Sequence, residues 1–304
     1  MKFEVTILGS SSATPIFNRN PSAQVLNIND RLYLIDCGEG TQQQMLRFDV
    51  KASRIDHIFI SHLHGDHYLG LVGLLSSMHL NGRKKTLKLI GPEQLKEIID
   101  LQLKYSDTTL QYEIDFIPTN AKIPQLILEN TDITVETIPL DHRIACTGFL
   151  FKQKKRLKRI IKEKIIDLNI PVAYFSAIKK GADYITPEGK VYKNADITTN
   201  PHEPKVYAYC SDTIYNPDYF AQISNADLLY HESTFLNNML DRAQSTYHTT
   251  ALQAGQVAVQ TGAKRLLIGH FSARYKTLNE LLDEASSVFP ETELAIEGKT
   301  FVIE

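Results

Sequence analysis

The sequence predicts an α/β protein with an inserted basic arm, and three observations carry that prediction. Apolar runs of strand length alternate with helical periodicity, as where Ile58-Phe59-Ile60 leads through a polar turn into an apolar segment at 69–75. Such runs repeatedly end in histidine or aspartate, at the strand carboxyl ends where α/β proteins build their sites. Residues 152–200 break the composition, with cations crowded into one stretch. The chain has 304 residues and 43% hydrophobic content, enough to fill a large core. It reads as one domain over 1–304, with the arm at 152–200.

Segment 3–8 alternates and reads as a strand, followed by a small-residue loop from Gly9 to Pro21. Ala23–Ile28 and Arg31–Ile35 read as a hairpin across Asn29-Asp30, a good two-residue turn. Next comes Asp36-Cys37-Gly38-Glu39-Gly40-Thr41, and then a helix over 42–48. The strand at 58–60 ends in Ser61-His62-Leu63-His64-Gly65-Asp66-His67. His62 and His64 point the same way in extended chain. Gly65 permits a sharp turn, Asp66 is placed to cap the following helix, and His67 falls in its first turn. A cap explains Asp66 but not three histidines around it; a metal site explains all four.

A strand at 87–90 and a helix over 92–103 follow, then short strands to 138. The strand at 133–138 runs into Pro139-Leu140-Asp141-His142-Arg143. Strands at 205–210, 226–230 and 265–269 end in Ser211-Asp212-Thr213, His231-Glu232-Ser233-Thr234 and His270-Phe271-Ser272-Ala273-Arg274-Tyr275. His248-Thr249-Thr250 opens a helix over 251–259, with Thr249 or Thr250 as its cap. A helix over 278–288 and two short strands close the chain. Asp36, His62, His142, Asp212, His231 and His270 therefore share one position in the pattern. For Asp36 that position suits a cap, or a partner that orients a metal-bound imidazole.

In the arm, Lys152, Lys154, Lys155, Arg156, Lys158, Arg159, Lys162 and Lys164 face a single acid, Glu163. Leu157, Ile160, Ile161, Ile165 and Leu168 recur at helical spacing, which predicts an amphipathic basic helix. So many cations exceed what solubility requires and point to phosphate. Net charge is only −2, so a nucleic-acid partner has to be met by this local patch. Cys37, Cys146 and Cys210 are isolated and lack CxxC spacing, which suits reduced thiols in the cytoplasm. The first residues are too weakly apolar for a signal peptide. No 18-residue apolar run exists, so no membrane span is expected.

Imidazole and carboxylate without thiolate suit Zn²⁺, with Mn²⁺ or Fe as alternatives. His62, His64, Asp66, His67, His142, Asp212 and His270 are too many donors for one tetrahedral ion. With Asp212 as a bridge, each of two ions receives four ligands, in a pair roughly 3.5–4 Å apart suited to in-line displacement at phosphorus.

This set, His62-x-His64-x-Asp66-His67 with His142, Asp212 and His270, resembles the metallo-β-lactamase superfamily. Asp36 to Gln42, Ser61 to His67, Ser211-Asp212-Thr213, His231 to Thr234 and His270 to Tyr275 resemble, within it, the ribonuclease Z family of tRNA 3′-processing endonucleases. The resemblance spans nearly the whole chain and implies an αββα sandwich with the metals at one edge. It implies two zinc ions: His62, His64, His142 and Asp212 hold one, and Asp66, His67, His270 and Asp212 the other. It further implies Asp66 as proton acceptor, His248 beside the leaving 3′ oxygen, and Arg274 paired with the scissile phosphate. Glu232 is placed to orient His248 or His231, and His231 joins Asp36 as a partner behind the ligands. The implied substrate is precursor tRNA, cut near the discriminator base to leave a 3′ hydroxyl, and the implied assembly is a homodimer. Arg19 and Asn20 belong to a loop resembling the family's Pro-x-Lys-x-Arg-Asn motif, with Phe17 in place of the lysine. Lys154, Lys155, Arg156, Lys158, Arg159 and Lys162 lie where the family carries its tRNA-gripping arm. The family's Gly-Pro motif is absent there: this chain reads Ile170-Pro171-Val172-Ala173-Tyr174-Phe175. The alternative is a dinuclear-zinc phosphodiesterase of small or cyclic phosphate esters, which shares the metals and has no use for the basic arm.

Overall fold

The computed structural model describes every residue except Met1, Phe17 and His202. The replacement of the loop lysine by Phe17 therefore lies outside the described residues. By contacts the chain forms two units, 1–152 with 205–304, and 153–204.

The larger unit begins with β1 (Phe3–Gly9), β2 (Ala23–Ile28) and β3 (Arg31–Ile35), an antiparallel run. Asn29 and Asp30 both take positive φ, 51° and 68°, the left-handed pair that a two-residue hairpin turn requires. After α1 (Thr41–Arg47), strands β4 (Ile55–Phe59), β5 (Leu87–Pro92) and β6 (Ile114–Thr119) add in parallel. Their crossovers carry α2 (Gly65–Tyr68), α3 (Leu71–Leu80) and α4 (Gln94–Tyr105). The carboxy-terminal strand Thr300–Val302 pairs antiparallel with β1 and gives this sheet seven described strands.

The second sheet has the order Thr292–Leu294, Leu266–Gly269, Leu228–Glu232, Val206–Cys210, Cys146–Gln153, Ile133–Leu140 and Leu126–Glu129. Its first four strands run parallel. The two sheets pack face to face through Val5, Ile7, Phe59, Phe149, Tyr209 and Tyr230. Leu71, Leu74 and Leu95 cover the outer face of the first sheet. The helices Ala251–Thr261 and Asn279–Ser286 cover the second through Ala254, Val257, Leu281 and Ala285. The layers are thus α, β, β, α. The helix at 251 starts on a capping box, Thr250 with Gln253, and stops at Gly262 with φ 64°. Both parallel stretches place their carboxyl ends along one edge, and the loops after them carry the polar residues.

Residues 153–204 have a small core of Ile170, Ile178, Tyr184 and Ile197, with Ile160, Ile165, Leu168, Phe175 and Tyr192 packed against it. The long basic helix expected here is not formed. Arg159–Ile160 pairs as a strand with Thr198–Thr199, and Ile161 N–H donates to the Ile197 carbonyl. Of the stretch expected as that helix, Lys162–Asp167 alone is helical among the described residues. β-branched Ile160 and Ile161 suit a strand, and this pairing within the unit overrides the helical spacing. Phe175 joins the small core, while Tyr174 sets its ring edge-on to Tyr184 at 5.1 Å.

Candidate metal centre

Asp36 follows β3 and is fully buried in the left-handed conformation, φ 56°. Its carboxylate accepts from Ser61 N–H (2.7 Å), Ser61 Oγ (2.9 Å), the Tyr209 hydroxyl (2.6 Å) and His67 Nδ1 (2.8 Å). The acid thereby fixes the tautomer of His67, leaving its Nε2 lone pair to face the cleft. Chain crossing holds α2 in place: Cys37 N–H donates to the His67 carbonyl and Gly70 N–H to the Cys37 carbonyl. A Cβ on Gly70 would fall 2.2 Å from the Gly38 oxygen, so only glycine allows the crossing.

Other imidazoles are prepared in the same way. Ser61 Oγ, already donating to Asp36, accepts from His62 Nδ1 at 3.0 Å. Thr234 Oγ1 donates to Glu232 Oε2 (2.6 Å) and accepts from His270 Nδ1 (2.9 Å). His142 Nδ1 donates to the Tyr247 carbonyl at 2.9 Å. Each inner nitrogen is left bare. His64 instead turns Nδ1 inward, 3.0 Å from His62 Nε2 and 3.1 Å from His142 Nε2.

Two donor groups lie side by side, His62, His64, His142 and Asp212, and Asp66, His67 and His270; a third, Asp212, His248 and His270, overlaps them. Asp212 faces both of the first two. Its Oδ2 lies 3.6 Å from His62 Nε2 and 3.9 Å from His142 Nε2, while Oδ1 lies 3.3 Å from His67 Nε2 and 3.2 Å from His270 Nε2. Asp66 Oδ2 closes the second group, 3.4 Å from His67 and 3.3 Å from His270. Tetrahedral donors about 2.0–2.1 Å from a zinc ion stand roughly 3.4 Å apart, so most of these spacings are those of donors around a common cation. Bare nitrogens at such distances repel unless positive charge lies between them. The acids also call for that charge: burial pushes His67 toward neutrality, yet Asp212, Asp66 and Asp36 hold its proton affinity well above the ordinary range. The donor set therefore fits a metal site.

Asp66 does not cap α2, as its place in the sequence suggests. The cap position is His64, without a side-chain bond, and Asp66 instead accepts from Ala13 N–H at 2.7 Å. Glu232 is fully buried and holds His248 Nδ1 at 2.9 Å. Burial pushes His248 down, but the Glu232 carboxylate more than offsets it and raises the imidazole to about 9. His231 plays no part in this network. Strand alternation sends it to the opposite face from Glu232, where its Nδ1 donates to the Glu232 carbonyl and its Nε2 accepts from the Tyr219 hydroxyl.

His64, Asp66, His142, Asp212, His248 and Arg274 line one cleft of about 500 Å³. Arg274 is exposed there, its guanidinium 5.0 Å above the Phe235 ring and its Nε donating to Ser272 Oγ. Arg19 is not presented as an RNA contact would be. It is 9% exposed, and its NH2 group donates to the carbonyls of Ser272 (3.3 Å) and Tyr275 (2.7 Å). Asn20 donates its N–H to Glu297 at 2.5 Å. In the arm, Lys155, Arg156, Arg159 and Lys162 are exposed and Lys154 is half-buried. Lys158 instead donates to Asn194 Oδ1 at 2.8 Å. Sequence reasoning assigned Thr234 and Tyr209 no role of their own: the Tyr209 hydroxyl serves the distant Asp36, and that of Thr234 joins Glu232 to the distant His270. An acid two residues before Thr234 is the one local hint.

Residues 3–158 match a family model described as Anti-Pycsar protein Apyc1. That match takes in the segment around His62 and His142 but ends before Asp212, His248 and His270. A ribonuclease Z of Bacteroides fragilis is 47% identical over 297 residues, covering 98% of each chain. The crystal structure of human tRNase Z, short form, superposes with TM-score 0.72 at 26% identity, covering 99% of each chain. The metallo-β-lactamase fold protein YhfI of Bacillus subtilis superposes with TM-score 0.69 at 21% identity, covering 99% of this chain and 100% of its own, and so shares the fold. The chain belongs to the ribonuclease Z family, which it matches almost end to end, and its first half falls within the family model described as Anti-Pycsar protein Apyc1.

Proposed function

We propose that this cleft carries out metal-dependent endonucleolytic cleavage of precursor tRNA near the discriminator base, releasing the 3′ trailer and leaving a 3′ hydroxyl on the tRNA. The carrying observation is Asp212, which turns one carboxylate oxygen to each donor group. His62, His64 and His142 with Asp212 hold one ion, and Asp66, His67 and His270 with Asp212 the other; both are Zn²⁺, with Mn²⁺ as the alternative. When bound, the pair supplies Lewis acidity toward phosphate oxygens and lowers the pKa of a water molecule.

The chain's own groups do the rest. Asp66, held by Ala13 N–H, orients the attacking water and accepts its proton. Arg274 pairs with the scissile phosphate. His248, kept protonated at neutral pH by Glu232, gives its proton to the departing 3′ oxygen as the P–O3′ bond breaks. Lys154, Lys155, Arg156, Arg159 and Lys162 supply the tRNA-backbone contacts of the arm, and Lys158 shapes the arm through Asn194.

The assembly is proposed as a homodimer. Leu46 and Leu69, 79% and 60% exposed, line one groove with Gln42, Gln43, Gly70 and Gly73, and a second copy covering it would bury both leucines. The setting is proposed as the cytoplasm, in keeping with three free buried cysteines. No helix of the described residues is long and apolar enough to cross a membrane. Whole-length likeness to ribonuclease Z favours tRNA over small or cyclic esters. The test is to incubate the purified protein with a precursor tRNA in Zn²⁺ or Mn²⁺ and to map both product ends. A mature-length tRNA with a 3′ hydroxyl and a trailer with a 5′ phosphate is expected. Uncut RNA under rapid hydrolysis of a cyclic phosphodiester would overturn the assignment.

A further inference from the structure

The loop from Gly9 to Pro21 meets the catalytic edge at two points other than Ala13. Phe271 N–H donates to the Ser10 carbonyl, and Ser12 N–H to the Phe271 carbonyl. Farther along, Arg19 and Ile16 exchange both main-chain hydrogen bonds at 3.0 Å, which aims the Arg19 side chain inward. Its NH2 group then bridges two carbonyls, those of Ser272 and Tyr275, the first and last residues of the turn that bears Arg274. Tyr275 N–H closes that turn onto the Ser272 carbonyl at 3.1 Å. Glu297 is the acid facing Arg19, and it is fixed by Asn20 N–H and by Gln44 Nε2 at 2.6 Å.

Arg19 Nε is buried and finds no hydrogen-bond partner among the described residues. A buried donor left without a partner destabilises the fold. A side chain selected for stability alone would not keep a buried cation with an idle donor. An RNA contact would not be buried.

Resting on the pairing of Arg274 with the scissile phosphate proposed above, we infer that Arg19 is a positioning residue: its buried guanidinium holds the Ser272–Tyr275 turn so that Arg274 stands in the cleft. Arg19 acts on the phosphate through Arg274 and does not touch RNA. Both carbonyls are met by the one NH2 group at the end of the side chain, so the reach and charge of Arg19 carry the contact.

The test is a double-mutant cycle on precursor tRNA with R19M, R274A and R19M/R274A, each checked by thermal unfolding. R19M is expected to lower kcat roughly 10–100-fold, the scale of a misplaced catalytic contact, with KM and its salt dependence unchanged. The double variant is expected to be no slower than R274A. Losses that multiply, or a raised KM with a flatter salt dependence, would overturn the positioning role alone. R274A cleaving as fast as the unchanged protein would instead remove the role of Arg274 and this inference with it. If R19M fails to fold, R19K in the same cycle keeps the charge on a shorter side chain. A loss in R19K that persists in the R274A background would overturn the inference, and a loss that vanishes there would support it.

Discussion

The cluster at the sheet edge and the arm at 153–204 are built on opposite principles. In the cluster, Asp36 alone receives four donors, and Asp212, Glu232, His62, His67 and His270 are all buried. The arm has a core of a few residues and keeps Lys155, Arg159 and Lys162 in solvent. Side chains held on several sides can place atoms to the tolerance that chemistry needs. Cations on a light frame adapt to a phosphate backbone and act through charge, which salt screens. The difference teaches that chemistry and substrate choice can fail separately.

The strongest expected effect is at Asp212. Asp212→Ala should slow cleavage roughly 10⁴-fold or more, since the metals proposed to sit on it would supply several kcal/mol of charge stabilisation. Metal content measured on the same sample should fall with it. His248→Ala should lower kcat on tRNA by about 10²–10⁴-fold, as removal of a general acid does, with bound metal retained. Equal metal loss in that variant would make His248 a ligand instead. Asp36→Asn should weaken metal affinity about 10–100-fold in competition with a chelator, because it disturbs the tautomer of His67 without removing a ligand.

The arm gives the sharpest contrast. Lys155→Gln, Arg159→Gln and Lys162→Gln together should raise KM for tRNA and flatten the log–log salt slope by up to about 2–3. Hydrolysis of a bis-aryl phosphate should not change. An equal loss on both substrates would erase the distinction between the two regions.

The smallest effect concerns stability. Burial raises the Glu297 carboxyl from 4.5 to about 7. The folded state then binds this proton more tightly than the unfolded chain, so stability falls as pH rises from about 4.5 through 7. Glu297→Gln should remove that slope. Its melting temperature relative to the unchanged protein should be higher at pH 8 than at pH 5, and a constant difference would rule the slope out.

Local signals made much of this legible in the sequence. Asn29-Asp30 announced a turn because both residues tolerate positive φ. The histidines between Ser61 and His67 stood out because three imidazoles in one turn have few other uses. What stayed hidden depends on distant partners. The spacing of Leu157 to Leu168 matched a helix, but Ile160 and Ile161 are held by 197–199, which spacing cannot reveal. Arg19 sits in a polar loop and reads as surface, yet its partners lie more than 250 positions away. His231 and Glu232 are adjacent in sequence, and strand alternation gives only Glu232 to the cleft.

Two residues of the metal centre, Asp36 and His270, hold left-handed backbone, with φ of 56° and 58°. Each such non-glycine residue carries a conformational cost of roughly 1 kcal/mol. The surrounding hydrogen bonds offset that cost but do not abolish it. Glycine would relieve the backbone at either position, but it would strip Ser61, Tyr209 and His67 of Asp36, or Thr234 of His270, so the fold and the site hold these residues together.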